Sequence, residues 1–332
     1  MALRVETEKA GDRTIYRLED TDSRASASIS PSFGFNLFDL RLPVRGEPVR
    51  VIDAAADWAA KPSNPGRNGI PVLFPFPNRI RDGRFIFQGK SYDLPKNNGP
   101  NAIHGFAIQA AWDVVEQGVD DRGAFVVGRY RISKNTPQSA HLWPTDAILE
   151  IRYTLKGSTL ALDAKVSNPT AEPLPFGFGI HPYFRLPFDP AGEPDQTRIV
   201  IPAERTWTLN AFLPTGETPP VDDRLDFRNG KPRTGLKLDD VLTGLIYEGS
   251  TCRCRMIDLA KKTELVLSFD KPFREIVAYT PPDNHKVIAL EPYTQTTDAI
   301  NLAAKNFDAG LITLDHDGSQ TLAIRLETKP IE

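Results

Sequence analysis

Short runs of alternating apolar and polar residues, separated by proline and glycine, constrain this chain more than any other feature of its sequence. The 332 residues include 29 Pro and 23 Gly, which divide the chain into brief segments. Alternation of this kind predicts half-buried β-strands joined by turns. The spacing typical of amphipathic helices is nearly missing. We therefore expect an all-β fold.

The clearest predicted strand pairs flank glycine-containing turns. RFIFQGKSYDLP places two strands around residues 88–90, and ILEIRYTLKGSTLALDAKVSNP forms the clearest hairpin around residues 156–158. Further along, GLIYEG, CRCRMIDL, ELVLSFD, EIVAYT and HKVIALE follow one another at the spacing of sandwich strands. GLITLDH and QTLAIRLET are predicted to close the chain as another hairpin.

The strands run on without a linker or a shift in composition. Roughly sixteen strands in one uninterrupted series favour one large antiparallel β-sandwich over two domains. We therefore predict a single domain that spans residues 1–332.

Charge and cysteine content limit the classes of function. The formal net charge is −3, from 40 Lys and Arg against 43 Asp and Glu, and no basic cluster stands out. We therefore expect no nucleic-acid partner and a neutral or small ligand. Cys252 and Cys254 are the only cysteines; they are expected on one strand face as ordinary thiols, and two ligands do not make a zinc site.

Hydropathy predicts neither a membrane span nor a secretory leader. No run of about 18 apolar residues occurs, and residues 1–20 contain no apolar h-region. We therefore expect no membrane partner and a cytoplasmic location.

Three distant segments each carry one side chain able to hold or move a proton. His104 lies in NAIHGF, His181 in FGFGIHPYF and Glu291 in HKVIALEPY. An imidazole with an ordinary pKa near 6.5 can transfer protons near neutral pH. Any one of these residues alone would more often be structural, so the prediction depends on their combination. We predict that they converge on one sugar-sized pocket.

Local sequence suggests how each of the three is placed. His104 is expected near the start of a strand, after a turn. The glycines of FGFG leave one strand face without side chains beside His181, which we expect to serve as a flat surface for a ligand. Glu291 is expected to end its strand, where a carboxylate on an apolar face is costly unless it is paired or functional.

Several other chemistries fit the sequence less well. The chain contains no G-x-S-x-G elbow, no H-E-x-x-H motif, no P-loop and no G-x-G-x-x-G phosphate cradle. For a glycosidase pair, only Asp239 and Asp240 in KLDDVL stand out as further carboxylates, and that signal is weak.

Taken together, the segments resemble the aldose 1-epimerase, or galactose mutarotase, family. The likeness is carried, in order, by PNRIRDGRFIFQGKSYDLPKNNGPNAIHGF, GFGIHPYF, LDDVL and LEPYTQTTDAINL, which span residues 77–302. It implies a large β-sandwich with an open cleft, a monosaccharide substrate such as a hexose, and no metal or organic cofactor. The glycine-rich stretch usual ahead of the family's arginine is replaced here by FPFPN.

The resemblance implies a role for five residues. Arg79 matches the sugar-contacting arginine, and Asp239 matches the substrate-binding aspartate. His104 matches the first active-site histidine, His181 the general acid and Glu291 the general base. The implied reaction is interconversion of α and β anomers by ring opening and closure. A protonated His181 needs a raised pKa, which we expect a neighbouring carboxylate to provide.

Several alternatives stay open at this point. LDDVL can also be aligned so that Asp240 takes the place of Asp239. A hexose-6-phosphate 1-epimerase needs extra cations around the phosphate, which Arg81 and Arg84 could supply. A sugar-binding or regulatory module could keep the cleft without catalysis, and a glycoside-processing protein would release reducing sugar from a disaccharide.

Overall fold

The computed structural model describes residues 3–63 and 65–331, and these form mostly antiparallel strands. In chain order the strands are β1 (Leu3–Ala10), β2 (Arg13–Asp20), β3 (Ala25–Ser30), β4 (Asn36–Val44), β5 (Glu47–Arg50), β6 (Val72–Leu73), β7 (Arg79–Ile80), β8 (Arg84–Phe87), β9 (Lys90–Asp93), β10 (Ala102–Ile103), β11 (Asp113–Asp120), β12 (Gly123–Arg131), β13 (Ile148–Lys156), β14 (Thr159–Ser167), β15 (Leu174–Phe176), β16 (Gly179–Ile180), β17 (Tyr183–Arg185), β18 (Thr197–Val200), β19 (Ala203–Thr206), β20 (Leu209–Asn210), β21 (Leu213–Pro214), β22 (Asp239–Leu245), β23 (Thr251–Asp258), β24 (Thr263–Asp270), β25 (Glu275–Tyr279), β26 (Val287–Tyr293), β27 (Ile312–Leu314) and β28 (Ser319–Pro330).

Helical structure is confined to short segments. The α-helices of the described residues are α1 (Ile132–Asn135) and α2 (Ala299–Ala303), and the 3-10 turns are Pro65–Arg67, Arg81–Gly83, Ala107–Gln109, Pro137–Leu142 and Pro194–Gln196. The all-β prediction is confirmed. None of the helices in the described part of the chain is long and apolar enough to cross a membrane.

Three large sheets carry the fold. One has five strands in the order β1-β2-β3-β4-β5, and another has eight in the order β11-β12-β13-β14-β28-β24-β23-β18. The third has seven strands, β19-β22-β25-β26-β16-β6 with β17 beside β26. The pairings within these sheets are antiparallel. The molecule is thus the large antiparallel β-sandwich expected from the sequence.

The hairpin of β13 and β14 shows how alternation builds the sandwich. Gly157 takes a φ of +59° in the turn, a conformation that glycine adopts at little cost. Along β13, Leu149, Ile151 and Tyr153 are fully buried, while the residues between them are half-buried. One face of the hairpin therefore packs into the core, and the other meets solvent.

An aromatic stack joins the five-stranded and eight-stranded sheets. Phe35, just before β4, is fully buried and stacks on Trp112 and Tyr153 with ring centroids 5.3 and 5.4 Å away. Gly128 of β12 lies against the same phenyl ring, where an added Cβ would come within 2.6 Å of a ring carbon. The absence of a side chain at residue 128 is therefore required for the stack.

The seven-stranded sheet is interrupted at one point that matters for function. Strand β16 ends at Ile180 and β17 begins at Tyr183, and both pair with β26. The break consists of His181 and Pro182, because proline has no N–H to continue the ladder. His181 therefore lies beside β26 at a gap in the strand.

Some local predictions are wrong. The described residues contain 28 strands, more than expected, because many are only two or three residues long. The closing hairpin does not form: β27 pairs with β15, while β28 pairs with β14 and β24. Since β28 has a neighbour on both edges, no edge is left for β27. The strand predicted at GLIYEG begins earlier, at Asp239, and ends at Leu245.

The two cysteines agree with the sequence-based interpretation. Cys252 and Cys254 lie in β23, and both are buried free thiols on one face.

We predict that Gly128→Ala destabilises the fold by about 1–3 kcal/mol, because the new methyl group overpacks the core against Phe35. The free energy of unfolding from urea titration measures the effect. Phe35→Leu removes the obstructing ring, so the double variant should lose less than the sum of the two single losses. Strict additivity would contradict this account of the contact.

Candidate active site

One cavity on the seven-stranded sheet collects the five residues singled out in the sequence. Arg79, His104, His181, Asp239 and Glu291 all line it, and its volume is about 280 Å³. Pockets for drug-sized ligands span roughly 300 to 1,000 Å³. The cavity is therefore suited to a ligand of about one sugar ring.

The centre of the cavity is a contact between an imidazole and a carboxylate. His181 Nε2 lies 3.3 Å from Glu291 Oε1 and 3.3 Å from the Tyr183 hydroxyl. The Tyr293 hydroxyl donates a hydrogen bond to Glu291 Oε2. The His181 ring also stacks on Tyr183, with centroids 4.6 Å apart. His181 and Glu291 therefore each make more than one contact that fixes the position of the side chain.

Burial controls the protonation of this pair. Glu291 is 1% exposed and His181 is 7% exposed. Burial raises the pKa of Glu291 well above its ordinary value, and Asp239 adds to this, while the Tyr293 hydrogen bond and Arg79 oppose it. Burial also lowers the pKa of His181 to about 3, with a further contribution from the charge of Arg67. Burial thus disfavours the charged form of both partners and favours a proton on Glu291 over a proton on His181.

This result corrects one expectation. We expected a neighbouring carboxylate to raise the pKa of His181, and Glu291 is indeed within contact distance. In the free protein, however, removal of the imidazole from water is the largest effect, so the pKa falls instead.

The same short pattern places both members of the pair. Each member of the pair is followed two residues later by a tyrosine, in the sequences H-P-Y and E-P-Y. Residues two positions apart in extended chain point to the same side, so each tyrosine lies beside the acid or base that precedes it. Tyr183 follows His181 in this way, and Tyr293 follows Glu291. Glu291 does not end its strand as predicted, because β26 continues to Tyr293 and Pro292 pairs opposite Ile276.

The glycines before His181 make room for side chains of the neighbouring segment. A Cβ on Gly179 would lie 2.3 Å from Tyr293 Cδ1, and one on Gly177 would lie 2.2 Å from Gln295 Cδ. The predicted flat surface for a ligand is therefore wrong, since protein side chains already cover it. The missing side chain at Gly179 instead allows Tyr293 to reach Glu291.

His104 follows strand β10 rather than starting a strand. It has a φ of +67°, and the following Gly105 has +69°, where a Cβ would come within 2.2 Å of Phe74 O. His104 Nδ1 accepts a hydrogen bond from the backbone N–H of Asn78 at 3.2 Å. The ring proton of the neutral imidazole is therefore on Nε2.

The charge state of His104 follows from its surroundings. Burial lowers its pKa well below the ordinary value, and electrostatic interactions with His181 and with the Arg79 guanidinium lower it further. His104 is therefore a neutral hydrogen-bond donor near pH 7. Its ring centroid lies 5.6 Å from that of His181.

Arg79 and Asp239 contribute opposite charges to the cavity. Arg79 Nε donates to Asn98 Oδ1 at 2.9 Å, and its Nη1 donates to Asn78 Oδ1 at 3.1 Å, which fixes the guanidinium. Burial raises the pKa of Asp239, and the charge of Arg79 opposes this rise. Asp240 does not line the cavity; it forms a two-pronged ion pair with Arg224 at 2.6 and 3.0 Å.

Sequence reasoning missed some cavity residues. Tyr183 and Tyr293 could have been found from the period-two rule, because each lies two residues after a predicted site residue. Arg67 had no such signal, since it comes from an irregular loop. Its guanidinium lies 4.8 Å from the Tyr183 ring centroid and pairs with Asp53 Oδ2 at 3.2 Å.

The cavity groups are suited to proton transfer and to hydrogen bonding of hydroxyl groups. Within residues 3–63 and 65–331, no group of three or more His, Cys, Asp or Glu side chains is arranged to hold a metal ion.

Comparison with known proteins places this geometry in context. Residues 18–327 match the family described as aldose 1-epimerase. The uncharacterized protein YphB of Escherichia coli is 28% identical over 261 residues, which cover 69% of this chain and 81% of YphB. Galactose mutarotase of Rattus norvegicus is 30% identical over 146 residues, which cover 42% of this chain and only 37% of that protein.

Solved structures share the fold. A galactose mutarotase-like protein from Clostridium acetobutylicum superposes with a TM-score of 0.89 at 23% identity and covers 99% of both chains. Galactose 1-epimerase from Lactobacillus acidophilus superposes with a TM-score of 0.77 at 17% identity and covers 100% of both chains. The sandwich is therefore of the galactose mutarotase type.

We predict that Glu291→Gln gains stability relative to the wild type as the pH rises above about 4.3, the ordinary pKa of a glutamate carboxyl group. The folded-state pKa of Glu291 lies above its unfolded value, so the folded wild type binds more protons and loses stability with rising pH. The gap should widen by up to about 1.4 kcal/mol per pH unit.

Urea titrations at several pH values measure this gap. The matched control is Glu248→Gln, which changes a glutamate side chain that is 80% exposed. A gap between wild type and Glu291→Gln that stays constant with pH would show that burial does not hold the proton on Glu291.

Proposed function

Because the chain belongs to the aldose 1-epimerase family, we propose that it interconverts the α and β anomers of a free hexose, such as glucose or galactose, by acid/base ring opening and closure. The protein would thus be an isomerase that acts on a monosaccharide. We also propose that residues 1–332 act as one domain and work in the cytoplasm, where the free thiols of Cys252 and Cys254 fit a reducing environment.

The observation that carries this proposal is the buried contact between His181 and Glu291 in a cavity of sugar-ring size. Anomer exchange needs one group that takes a proton and one that gives a proton, both within reach of C1 and the ring oxygen. A buried carboxyl group and an imidazole whose atoms lie 3.3 Å apart meet this need. Each positioned proton transfer contributes roughly 10² to 10⁴ in rate.

In the proposed mechanism, Glu291 takes the proton of the C1 hydroxyl while His181 gives a proton to the ring oxygen. The C1–O5 bond breaks, and C1 becomes an aldehyde. Rotation about the C1–C2 bond turns the carbonyl. The C5 hydroxyl then adds to the other face of C1, and both proton transfers run in reverse.

Sugar binding supplies the protonation state that these roles require. In the free protein, burial favours the protonated form of Glu291. A C1 hydroxyl that donates a hydrogen bond to Glu291 favours the ionised carboxylate. That negative charge, 3.3 Å from His181 Nε2, then raises the pKa of the imidazole. The proton thus moves to His181 when the ligand arrives.

The remaining groups orient the sugar. His104 donates from Nε2 to the ring-oxygen region, because its neutral ring has its proton there. Arg79 and Asp239 hold ring hydroxyls through charge-assisted hydrogen bonds, which fix orientation better than neutral ones. We propose Asp239 for this role over Asp240 because Asp240 is committed to Arg224 outside the cavity.

A hexose-6-phosphate 1-epimerase is the nearest alternative. It requires cations free to meet the phosphate, but Arg81 and Arg84 line a separate cleft beside Ile86. Arg67 lines the sugar cavity, yet it is already paired with Asp53. We therefore expect faster catalysed mutarotation of glucose than of glucose 6-phosphate. A strong preference for the phosphate ester would favour the alternative.

We predict that Glu291→Gln lowers kcat by roughly 10² to 10⁴ while sugar binding persists, because the amide fills the same space but takes up no proton. Polarimetry of fresh α-D-glucose or α-D-galactose measures the rate, and calorimetry measures the binding. The control is Glu275→Gln, which changes a carboxyl that is also buried, 2% exposed and on neighbouring β25, but outside the cavity.

Glu275→Gln should keep at least most of the wild-type rate. Full activity in Glu291→Gln would refute the assignment of the base. A wild type that binds hexoses without turnover would point instead to a sugar-binding module on the same fold.

A further inference from the structure

A second pocket lies beside the segment that carries His104. Its volume is about 420 Å³, which is within the range of small-molecule sites. Gly105 and Phe106 line this second pocket, whereas His104 lines the sugar cavity. Ile103 lines both. The second pocket and the sugar cavity therefore share one short stretch of backbone as a common wall.

The second pocket differs from the sugar cavity in charge. The sugar cavity contains the ionisable side chains of Arg67, Arg79, Asp239 and Glu291. None of the described residues that line the second pocket has a charged side chain. An ion that left water for this pocket would meet no opposite charge there, which is costly. The second pocket therefore favours a neutral ligand.

Three side chains of the second pocket are available to bind such a ligand. Gln109 and Gln138 are exposed, and Ser139 is half-buried. Within residues 3–63 and 65–331, none of the three side chains has a hydrogen-bond partner. Each amide group offers two donors and an acceptor, and a hydroxyl group both donates and accepts. These groups match the neighbouring hydroxyls of a sugar.

The second pocket also has an aromatic wall. Phe106 is half-buried, and its ring meets those of Phe76 and Trp143 edge-on, with centroids 6.3 and 6.2 Å away. One face of a pyranose carries C–H groups, and packing that face on a phenyl ring removes apolar surface from water. An uncharged pocket with amide groups and an aromatic ring thus suits a free hexose.

The second pocket contains a group that holds the common wall. The N–H of Ile103 donates to Asn97 Oδ1 at 2.8 Å, and Asn97 Nδ2 donates to Ile103 O at 3.2 Å. Asn97 itself lines the second pocket. The next residue, His104, has a φ of +67°, a conformation that side-chain-bearing residues rarely adopt. A ligand bound against Asn97 therefore favours the backbone conformation that presents His104 to the sugar cavity.

We propose that the second pocket binds a free hexose as an effector and that its occupancy strengthens hexose binding in the sugar cavity through Ile103 and His104. With no carboxyl or imidazole group among its described lining residues, the second pocket holds the hexose without converting it. The coupling is reciprocal, so catalysis should respond more than proportionally to low hexose concentrations. The kinetic part of this inference rests on the proposed function, whereas binding in the second pocket does not.

Nuclear magnetic resonance tests the binding directly. The side-chain NH₂ signals of Gln109 and Gln138 are assigned by their absence from Gln109→Ala and Gln138→Ala, and they are then followed in the wild type during titration with D-glucose. We expect both signals to shift and to saturate. The signal of Gln117, which is exposed on β11 and lines neither site, should not move.

The same titration can overturn the site. Unmoved signals of Gln109 and Gln138 would show that no hexose binds in the second pocket. A parallel titration with adenosine tests another class of neutral ligand. Shifts with adenosine but not with D-glucose would equally contradict the proposal.

Polarimetry tests the coupling between the two sites. Initial rates of the wild type against the concentration of fresh α-D-glucose should give a Hill coefficient of about 1.3 to 2, since two sites set the upper limit. The double variant Gln109→Ala/Gln138→Ala should give a coefficient of about 1 and an unchanged kcat. Its half-saturating concentration should rise about fivefold, the low end of coupling between protein sites. Gln117→Ala is the matched control and should behave as the wild type does.

The outcomes separate this inference from the proposed function. A Hill coefficient of 1 in the wild type, or the same coefficient above 1 in the wild type and the double variant, would overturn the coupling. If the wild type turns over no hexose, the proposed function fails, and the second pocket is judged by the two glutamine signals alone. Saturable shifts with D-glucose then support the site, and their absence overturns it.

Discussion

The burial of Glu291 against His181 is the interaction on which the proposed chemistry depends. A carboxyl group that is 1% exposed would ordinarily be excluded from a protein interior unless it is paired. Here the Tyr293 hydroxyl and the imidazole contact its two oxygens. Burial disfavours the charged form of both partners, which raises the pKa of Glu291 and lowers that of His181. In the proposed mechanism, this buried pair exchanges protons with the bound sugar.

Glycines help to position the residues of this site, because their missing side chains leave space for neighbouring groups. Gly179 leaves the space in which the Tyr293 ring lies, and Tyr293 in turn holds the carboxyl of Glu291. Gly105 permits the backbone turn that presents His104, because any Cβ there would strike Phe74 O. Residues in or directly beside strands thus bring together groups that are far apart in sequence, as the proposed proton transfer requires.

Features that depend on nearby residues could be predicted from the sequence. Alternation predicts β13 and β14 correctly, since each strand face is set by residues two positions apart. The pairing of β27 with β15 could not be predicted, because it depends on which sheet edge is free in the assembled sandwich. For the same reason, Gly177 and Gly179 were interpreted as a bare face: a sequence shows that a side chain is missing but not which distant residue fills the space.

The candidate site was predictable in its members but not in its electrostatics. Proton-transfer residue types and family resemblance singled out His181 and Glu291, but the direction of the His181 pKa shift depends on depth of burial, which sequence does not give. Arg67 escaped notice because no periodic pattern surrounds it.

The most direct test of the account is the optical rotation of freshly dissolved α-D-glucose and α-D-galactose, followed with and without the protein from about pH 5 to pH 8. The account predicts that the protein accelerates the approach to anomeric equilibrium. After subtraction of the buffer rate, this acceleration should persist as the pH falls through 6.5, the ordinary imidazole value, because burial lowers the pKa of His181 to about 3. No acceleration with either sugar, or a loss of rate with a midpoint near pH 6.5, would contradict it.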